Sequence, residues 1–237
     1  MPRLPILMYH TICCDEKESK KLTISTKKLE EQFKYLDKNN YTSFHFSELE
    51  NRKSIPNHSI VITFDDVTES QYLYALPLLK KYNLKATFFI PFAYIGKTDL
   101  WNNGSDKIMT ISQLKDIDST IVEFGFHSFE HKNYKQLSNA EIQLDFDACA
   151  KIIQENNLKV YPALAYPYGS YPRKGVEKEN FKTVLNQNNI RFGLRIGNRS
   201  NSFPFKNKFE IQRIDIKGEE GLFKFWYKIN WNHILKI

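Results

Sequence analysis

Cysteine is scarce in this chain: three residues among 237, two of them adjacent as Cys13 and Cys14. An odd count with a neighbouring pair offers no disulfide framework, which argues against small stapled secreted folds and favours free thiols in a reducing compartment. Long apolar runs are also lacking. The first hydrophobic stretch, Leu4 to Tyr9, is shorter than a signal-peptide core and far shorter than a bilayer span, so a cytoplasmic location is the expectation. Charge is plentiful but not concentrated. The formal net charge is +7 with 34 Lys and Arg, yet these are scattered and mostly Lys. With no helix-turn-helix or zinc-finger pattern beside them, a nucleic-acid partner is not expected. No internal repeat or low-complexity linker breaks the chain, and a hydrophobic content of 41% suffices for a sizeable core in one domain.

What is present is an alternation. Leu4 to Tyr9 reads as a buried strand, Thr26 to Asn39 carries Leu29, Phe33 and Leu36 at helical spacing, and Tyr41 to Phe46 reads as extended. Ser59 to Phe64 is a β-branched run, Glu69 to Tyr82 is helical in pattern, and Ala86 to Ile90 is an apolar strand stopped by Pro91. The rhythm continues with helices near Ile111 to Ile117, Ser138 to Asn156 and Glu177 to Asn188. Strands are expected at Ile121 to Phe126, Val160 to Tyr166, Arg191 to Arg195 and Phe209 to Ile216, and the tail from Glu219 is helical again. Such alternation predicts a parallel sheet, closed as a barrel or open and doubly wound. In either case loops at the C-terminal strand edge converge on one face, where chemistry gathers. His10, Asp65-Asp66, His127 and Tyr166-Pro167-Tyr168-Gly169 all fall at that edge.

Each of these has a plain reading and a functional one. Adjacent carboxylates at a buried strand end raise each other's pKa unless a cation relieves them, although Asp66 could equally cap a helix and Asp65 sit in a turn. His127 and His131, four apart, make with one carboxylate a three-ligand set that leaves positions open for water and substrate; His131 as a solvated loop residue is the alternative. Gly125 and the strand end place the pair on a one-turn loop, and no His-Glu-x-x-His order is present. The Tyr166 to Gly169 run sets a tight turn able to aim a backbone N–H outward, or simply a turn.

Thr63-Phe64-Asp65-Asp66, His127-Ser128-Phe129-Glu130-His131 and Tyr166-Pro167-Tyr168-Gly169, in this order, resemble the polysaccharide deacetylase family, the NodB-homology carbohydrate esterases. The likeness begins at Leu7-Met8-Tyr9-His10, runs through Ala86-Thr87-Phe88-Phe89 and reaches Arg213-Ile214. It implies an α/β fold, a distorted (β/α)7 barrel forming a single domain over residues 1–237, with 219–237 a C-terminal aromatic helix. By the same resemblance Asp65 is the general base that activates water. Asp66, His127 and His131 hold a divalent metal, zinc first, with cobalt, nickel or manganese as other candidates. The Tyr168 N–H contributes to the oxyanion site. The Met-Tyr-His and Tyr-Pro-Tyr-Gly subset, which includes poly-N-acetylglucosamine deacetylases, has its general acid at the start of the chain, which makes His10 the candidate; His233, in the tail, is not. From the residues alone, His10 is as readily a packed core histidine.

Two departures from the family pattern stand out. Val67 occupies a position that is usually Gly, which restricts the turn and is expected to reshape the rim of the site. Ala165 replaces the usual Arg that orients the base, and Arg213 is the candidate replacement. In the tail, Phe223, Phe225, Trp226, Tyr227 and Trp231 stand among Lys residues; membrane-surface contact is conceivable, and covering the barrel is the favoured reading. The expected activity is removal of N-acetyl groups from amino sugars in a glycan or lipid-linked precursor. The alternatives are hydrolysis of another C–N bond or of an O-acetyl group, and a non-catalytic glycan-binding barrel.

Overall fold

The computed structural model describes residues 2–231. Seven parallel strands form its centre: β1 (Ile6–Tyr9), β2 (Ser59–Asp65), β3 (Ala86–Ile90), β4 (Val122–Phe126), β5 (Val160–Ala165), β6 (Phe192–Ile196) and β7 (Ile211–Asp215). Each pairs with the next, except that β1 pairs with both β2 (Met8↔Thr63) and β7 (Leu7↔Ile214), which closes the sheet into a barrel. The closed form is the (β/α)7 barrel, and the open doubly wound alternative is not adopted. Its distortion is local: the β4–β5 register shifts between Phe124 and Phe126, immediately before His127. Gly125 is required there, because a Cβ would lie 2.6 Å from the Phe89 ring and 2.8 Å from the Ala163 carbonyl oxygen.

Strand alternation divides the apolar residues into two layers. Leu7, Tyr9, Ile60, Ile62, Phe64, Phe88 and Ile90 face the helices and pack with Leu29, Phe33 and Leu36 of α1 (Thr26–Lys38). Ile6, Val61, Phe89, Ala163, Ala165 and Ile211 fill a separate cluster inside the barrel. Continuing that inward register in steps of two brings Thr63 and then Asp65 of β2, and Arg213 of β7, to the upper interior.

The outer helices follow the expected order. They are α2 (Leu76–Lys81), preceded by a π-helical turn at Gln71–Ala75, then α3 (Ile111–Asp116), α4 (Asn139–Asn156), α5 (Gly175–Gln187) and α6 (Leu222–Trp231). Ser138 caps α4 in a capping box with Glu141. Several elements differ from expectation. The Tyr41 to Phe46 stretch is extended only at Thr42–Ser43 and turns helical at Phe46–Leu49. Two short pairings were not legible, Thr11–Cys13 with Thr23–Ser25 and Arg3–Leu4 with Asn201–Ser202, because two or three residues carry no periodicity.

Of the expected aromatic tail helix, 222–231 is helical. Phe225 is buried and meets Tyr35 of α1 edge-on at 6.1 Å, while Phe223 is 78% exposed. Residues 232–237, His233 among them, lie outside the described residues. Among those described, no helix is long and apolar enough to cross a membrane. Cys13, Cys14 and Cys149 are free.

Candidate active site

The C-terminal strand ends converge on a cavity of about 440 Å³, lined among others by His10, Asp66, Trp101, His131, Tyr168 and Asp215. This lies within the usual range for a small-ligand site. Asp65 closes β2 and points inward. Arg213 of β7 grips it with two hydrogen bonds, Nη1–H to Oδ1 at 2.5 Å and Nη2–H to Oδ2 at 2.7 Å, and Nη1–H also reaches Thr63 Oγ1 at 3.3 Å. Both partners are buried, at 1% and 2% side-chain exposure. Burial alone would raise the Asp65 pKa, but the Arg213 charge, the neighbouring His127 and the Arg213 hydrogen bonds outweigh it and hold the carboxyl below its ordinary value. The cation that other family members are expected to supply from position 165 therefore comes from β7. Ala165, fully buried beside it, contributes no charge.

Asp66 has the opposite electrostatics. Burial, and then the charge of Asp65, push its pKa well above the ordinary carboxylate value. Its Oδ1 is buried with no hydrogen-bond partner. Facing that oxygen are His127 Nε2 at 3.5 Å and His131 Nε2 at 3.4 Å. The His127 Nδ1–H donates to the Ala165 carbonyl at 2.8 Å, which fixes the tautomer and turns the Nε2 lone pair toward Asp66. Burial lowers the His127 pKa to about 4, so the ring is neutral near pH 7. His131 is lowered as well, first by burial and then by His127, and Trp101 stacks on it with ring centroids 4.6 Å apart.

Asp66, His127 and His131 each offer one ligand atom, and these atoms lie within 4.8 Å of one another. In a tetrahedral site with bonds of ~2.1 Å, ligand atoms are about 3.4 Å apart, so both carboxylate–imidazole distances match. An orphaned carboxylate oxygen facing two neutral imidazoles therefore fits a divalent cation.

His10 follows β1 and is nearly enclosed, with 14% of its side chain exposed; its Nε2 stands 3.7 Å from Asp65 Oδ2. Burial lowers its pKa, the Asp65 charge raises it and Arg213 lowers it, with a net downward shift. Its Nδ1 has no hydrogen-bond partner. At the turn after β5, Tyr168 adopts φ 59°, and the turn's hydrogen bonds run from the Gly169 N–H to Tyr166 O (2.8 Å) and from the Ser170 N–H to Pro167 O (3.1 Å), leaving the Tyr168 N–H out.

The structure thus brings Asp65, Asp66, His127, His131, His10, Tyr168 and Arg213 to one cavity from five strands. Non-glycine residues with left-handed backbone cluster there: Asp66 (φ 77°), Val67 (φ 45°), Ser128 (φ 60°), His131 (φ 54°) and Tyr168 (φ 59°). Each such residue costs on the order of 1–3 kcal/mol and persists where its surroundings enforce it. Val67 requires a correction: its side chain is fully buried in the outer core rather than at the rim. The turn that Gly would adopt freely is here held by packing of the isopropyl group and by a hydrogen bond from the Met109 N–H to Val67 O (2.9 Å).

Sequence reasoning missed Trp101, Gln71 and Asp145. For Asp145 a signal existed, since a carboxylate stands between Ile142 and Cys149 on the buried face of α4. Asp145 Oδ1 accepts from the Phe129 N–H (2.8 Å) and Oδ2 from the Tyr134 hydroxyl (2.9 Å), which ties down the loop between the two histidines. Burial raises its pKa to about 6. The folded state therefore holds this proton more tightly than the unfolded chain. The resulting stabilisation is complete below the unfolded value near 3.8 and is lost as pH rises through about 6. Asp145→Asn is expected to remove a loss of at most about 3 kcal/mol between those limits. Denaturant midpoints at pH 4.5 and 7.5 check this; parallel pH profiles for variant and wild type would refute it.

Residues 52–189 match the family described as polysaccharide deacetylase, and the chain belongs to that family. Among its relatives, the poly-beta-1,6-N-acetyl-D-glucosamine N-deacetylase of Staphylococcus aureus is 29% identical over 224 residues, covering 89% of this chain and 74% of its own. A putative polysaccharide deacetylase of Bacillus subtilis is 28% identical over 187 residues, 76% of this chain and 63% of its own. Among solved structures, the Streptococcus pyogenes deacetylase PplD in complex with acetate superposes with a TM-score of 0.79 at 22% identity, covering 97% of this chain and all of its own. IcaB from Ammonifex degensii gives 0.75 at 19% identity, covering 92% and 93%. At these identities the two structures speak to the fold.

Proposed function

We propose that this protein hydrolyses N-acetyl groups on the amino sugars of a glycan, releasing acetate and leaving free amines, with residues 1–237 as one deacetylase domain. The observation that carries the reading is the division of labour between adjacent carboxylates: Asp65 is kept ionised by Arg213, while Asp66 faces two imidazoles with an unpartnered oxygen. The names of the Staphylococcus aureus relatives point to a β-1,6-linked N-acetylglucosamine polymer as the substrate class.

Asp66, His127 and His131 would hold the cation, zinc or another divalent ion that accepts carboxylate and imidazole. When bound, it supplies Lewis-acid polarisation of water and of the acetamide carbonyl. Asp65 takes a proton from the attacking water as its oxygen adds to the carbonyl carbon. The Tyr168 N–H donates to the carbonyl oxygen as negative charge develops there. His10, whose Nε2 stands 3.7 Å from Asp65 Oδ2, passes to the amine nitrogen the proton that Asp65 took from water, as the C–N bond breaks. Arg213 remains outside the reaction and holds Asp65 in its ionised form.

The test incubates the purified protein with β-1,6-linked N-acetylglucosamine oligomers and measures acetate and primary amine together. Equal amounts of both are expected. A chelator should abolish the release and an added divalent ion restore it. Bound metal without turnover would overturn the reading in favour of a glycan-binding barrel, and turnover confined to O-acetylated sugars, with acetate and no amine released, would reassign it to O-acetyl hydrolysis.

A further inference from the structure

The backbone ladder between β1 and β2 ends at Tyr9↔Phe64, one residue short of both His10 and Asp65. Beyond that rung the two chains present carbonyl oxygens that cannot bond one another. Between them lies the Gln71 side chain, fully buried at the start of the π-helical turn Gln71–Ala75. Its Nε2 donates to His10 O at 3.0 Å and to Asp65 O at 2.5 Å. The amide orientation is unambiguous, because a flipped group would set its oxygen against two carbonyl acceptors. The same segment grips the chain on the far side of His10, where the Ile12 N–H donates to Ser70 Oγ at 3.1 Å and Ser70 Oγ meets Thr68 Oγ1 at 2.8 Å. A π-helical turn is rare, and this one places Gln71 and Ser70 beside the two strand exits.

We propose that Gln71 is a positioning residue that supplies the missing rung between β1 and β2 and thereby sets His10 against Asp65. This rests on the deacetylase reading above for the roles of those two residues. Asp65 is also held from the opposite side by Arg213, whereas the His10 ring has no second anchor: its Nδ1 is unpartnered and its Nε2 faces Asp65 at 3.7 Å. Loss of the clip therefore releases the proton donor and leaves the base in place. A defect confined to proton donation depends on the leaving group. It should be large for an amide, whose amine must be protonated to depart, and small for an aryl ester, whose phenolate departs unaided.

The experiment compares wild type with Gln71→Met, which fills the space without a donor, and with Gln71→Asn, a shorter amide that keeps the donors. Substrates are N-acetylglucosamine oligomers and 4-nitrophenyl acetate, on protein of verified metal content. A misplacement of about 1 Å can cost on the order of 100-fold in rate. For Gln71→Met the expected result is a kcat lowered roughly 10- to 100-fold on the oligomers, with KM changed less than about twofold, and hydrolysis of the aryl acetate within about threefold of wild type. Gln71→Asn should fall between the two and gives the same test if Gln71→Met does not fold. Equal losses on both substrates, or no loss on the oligomers, would overturn the proposal. If the wild type releases no acetate from the oligomers, the deacetylase reading fails by itself. Positioning is then decided by the crystal structure of Gln71→Met: a His10 displaced from Asp65 supports it, and an unchanged separation overturns it.

Discussion

Asp65→Asn is expected to lower acetate release from N-acetylglucosamine oligomers by on the order of 10²- to 10⁴-fold, the range over which general acid–base groups contribute, while metal content stays at the wild-type level. The substitution preserves shape and leaves one oxygen to accept from Arg213, but it removes the negative charge that takes a proton from water. Metal should persist because the cluster with metal-ligand spacing consists of Asp66, His127 and His131, without Asp65. The two readouts separate the proposed base from a proposed ligand. His131→Ala is expected to lose both metal and activity, since it removes one of three ligand atoms. Parallel acetate assays and elemental analysis check this. Full activity in Asp65→Asn would remove the base assignment, and loss of its metal would place Asp65 among the ligands.

Arg213→Met carries the largest expected effect on stability. The Arg213–Asp65 pair is buried and bidentate, and removing one partner of such a pair typically costs about 3–5 kcal/mol, because the other charge is left uncompensated in the interior. A linked pH effect follows. In the wild type the depressed Asp65 pKa contributes stability above the unfolded value near 3.8, and this is lost as pH falls through the still lower folded value. Without the Arg213 charge, burial becomes the dominant influence and raises the Asp65 pKa, which reverses the sign. The variant should then lose stability as pH rises from about 4 toward 7, where an unpaired carboxylate must ionise. Thermal or urea unfolding at pH 5 and pH 7.5 measures this. Equal loss at both pH values would show that packing, and not charge, makes Arg213 important. Replacing both partners with apolar residues, as in Arg213→Met with Asp65→Leu, is expected to recover much of the stability and none of the activity.

The inward register of the barrel explains why this pair forms. Val61, Thr63 and Asp65 alternate with the outward Ile60, Ile62 and Phe64, and Ile211 and Arg213 do the same on β7. A one-residue slip in either strand would turn the carboxylate or the guanidinium out into the helix layer, where nothing pairs with it. The close approach of Phe89 to Gly125 and the register shift before His127 belong to the same constraint, since together they set the depth at which His127 leaves β4.

Ser138-Asn-Ala-Glu141 followed by a helical pattern, the β-branched run into Asp65-Asp66, and the apolar strand halted by Pro91 are local signals, so their elements were legible in the sequence to within a residue or two. Local chemistry also singled out the Asp65-Asp66 pair and the spaced His127 and His131, because a carboxylate pair and spaced imidazoles at strand ends are unusual wherever the chain goes afterwards, while the choice of Asp66 as the ligand came from the family resemblance. What the sequence by itself determined was thus the βα rhythm, the edge at which polar residues collect and the identity of the family. The βα rhythm left closure open, and beyond what the family resemblance implied it was decided by the tertiary structure, because closure depends on β1 pairing with β2 and β7 across more than 50 and 200 residues. The tertiary structure also decided which cation reaches Asp65, that Val67 faces the core, and that Gln71 joins two carbonyls at the end of a ladder. Each of these is a contact between segments far apart in the chain or a side-chain direction set by register. Residue type and spacing report what a segment can do, and only the closed barrel fixes what stands opposite it.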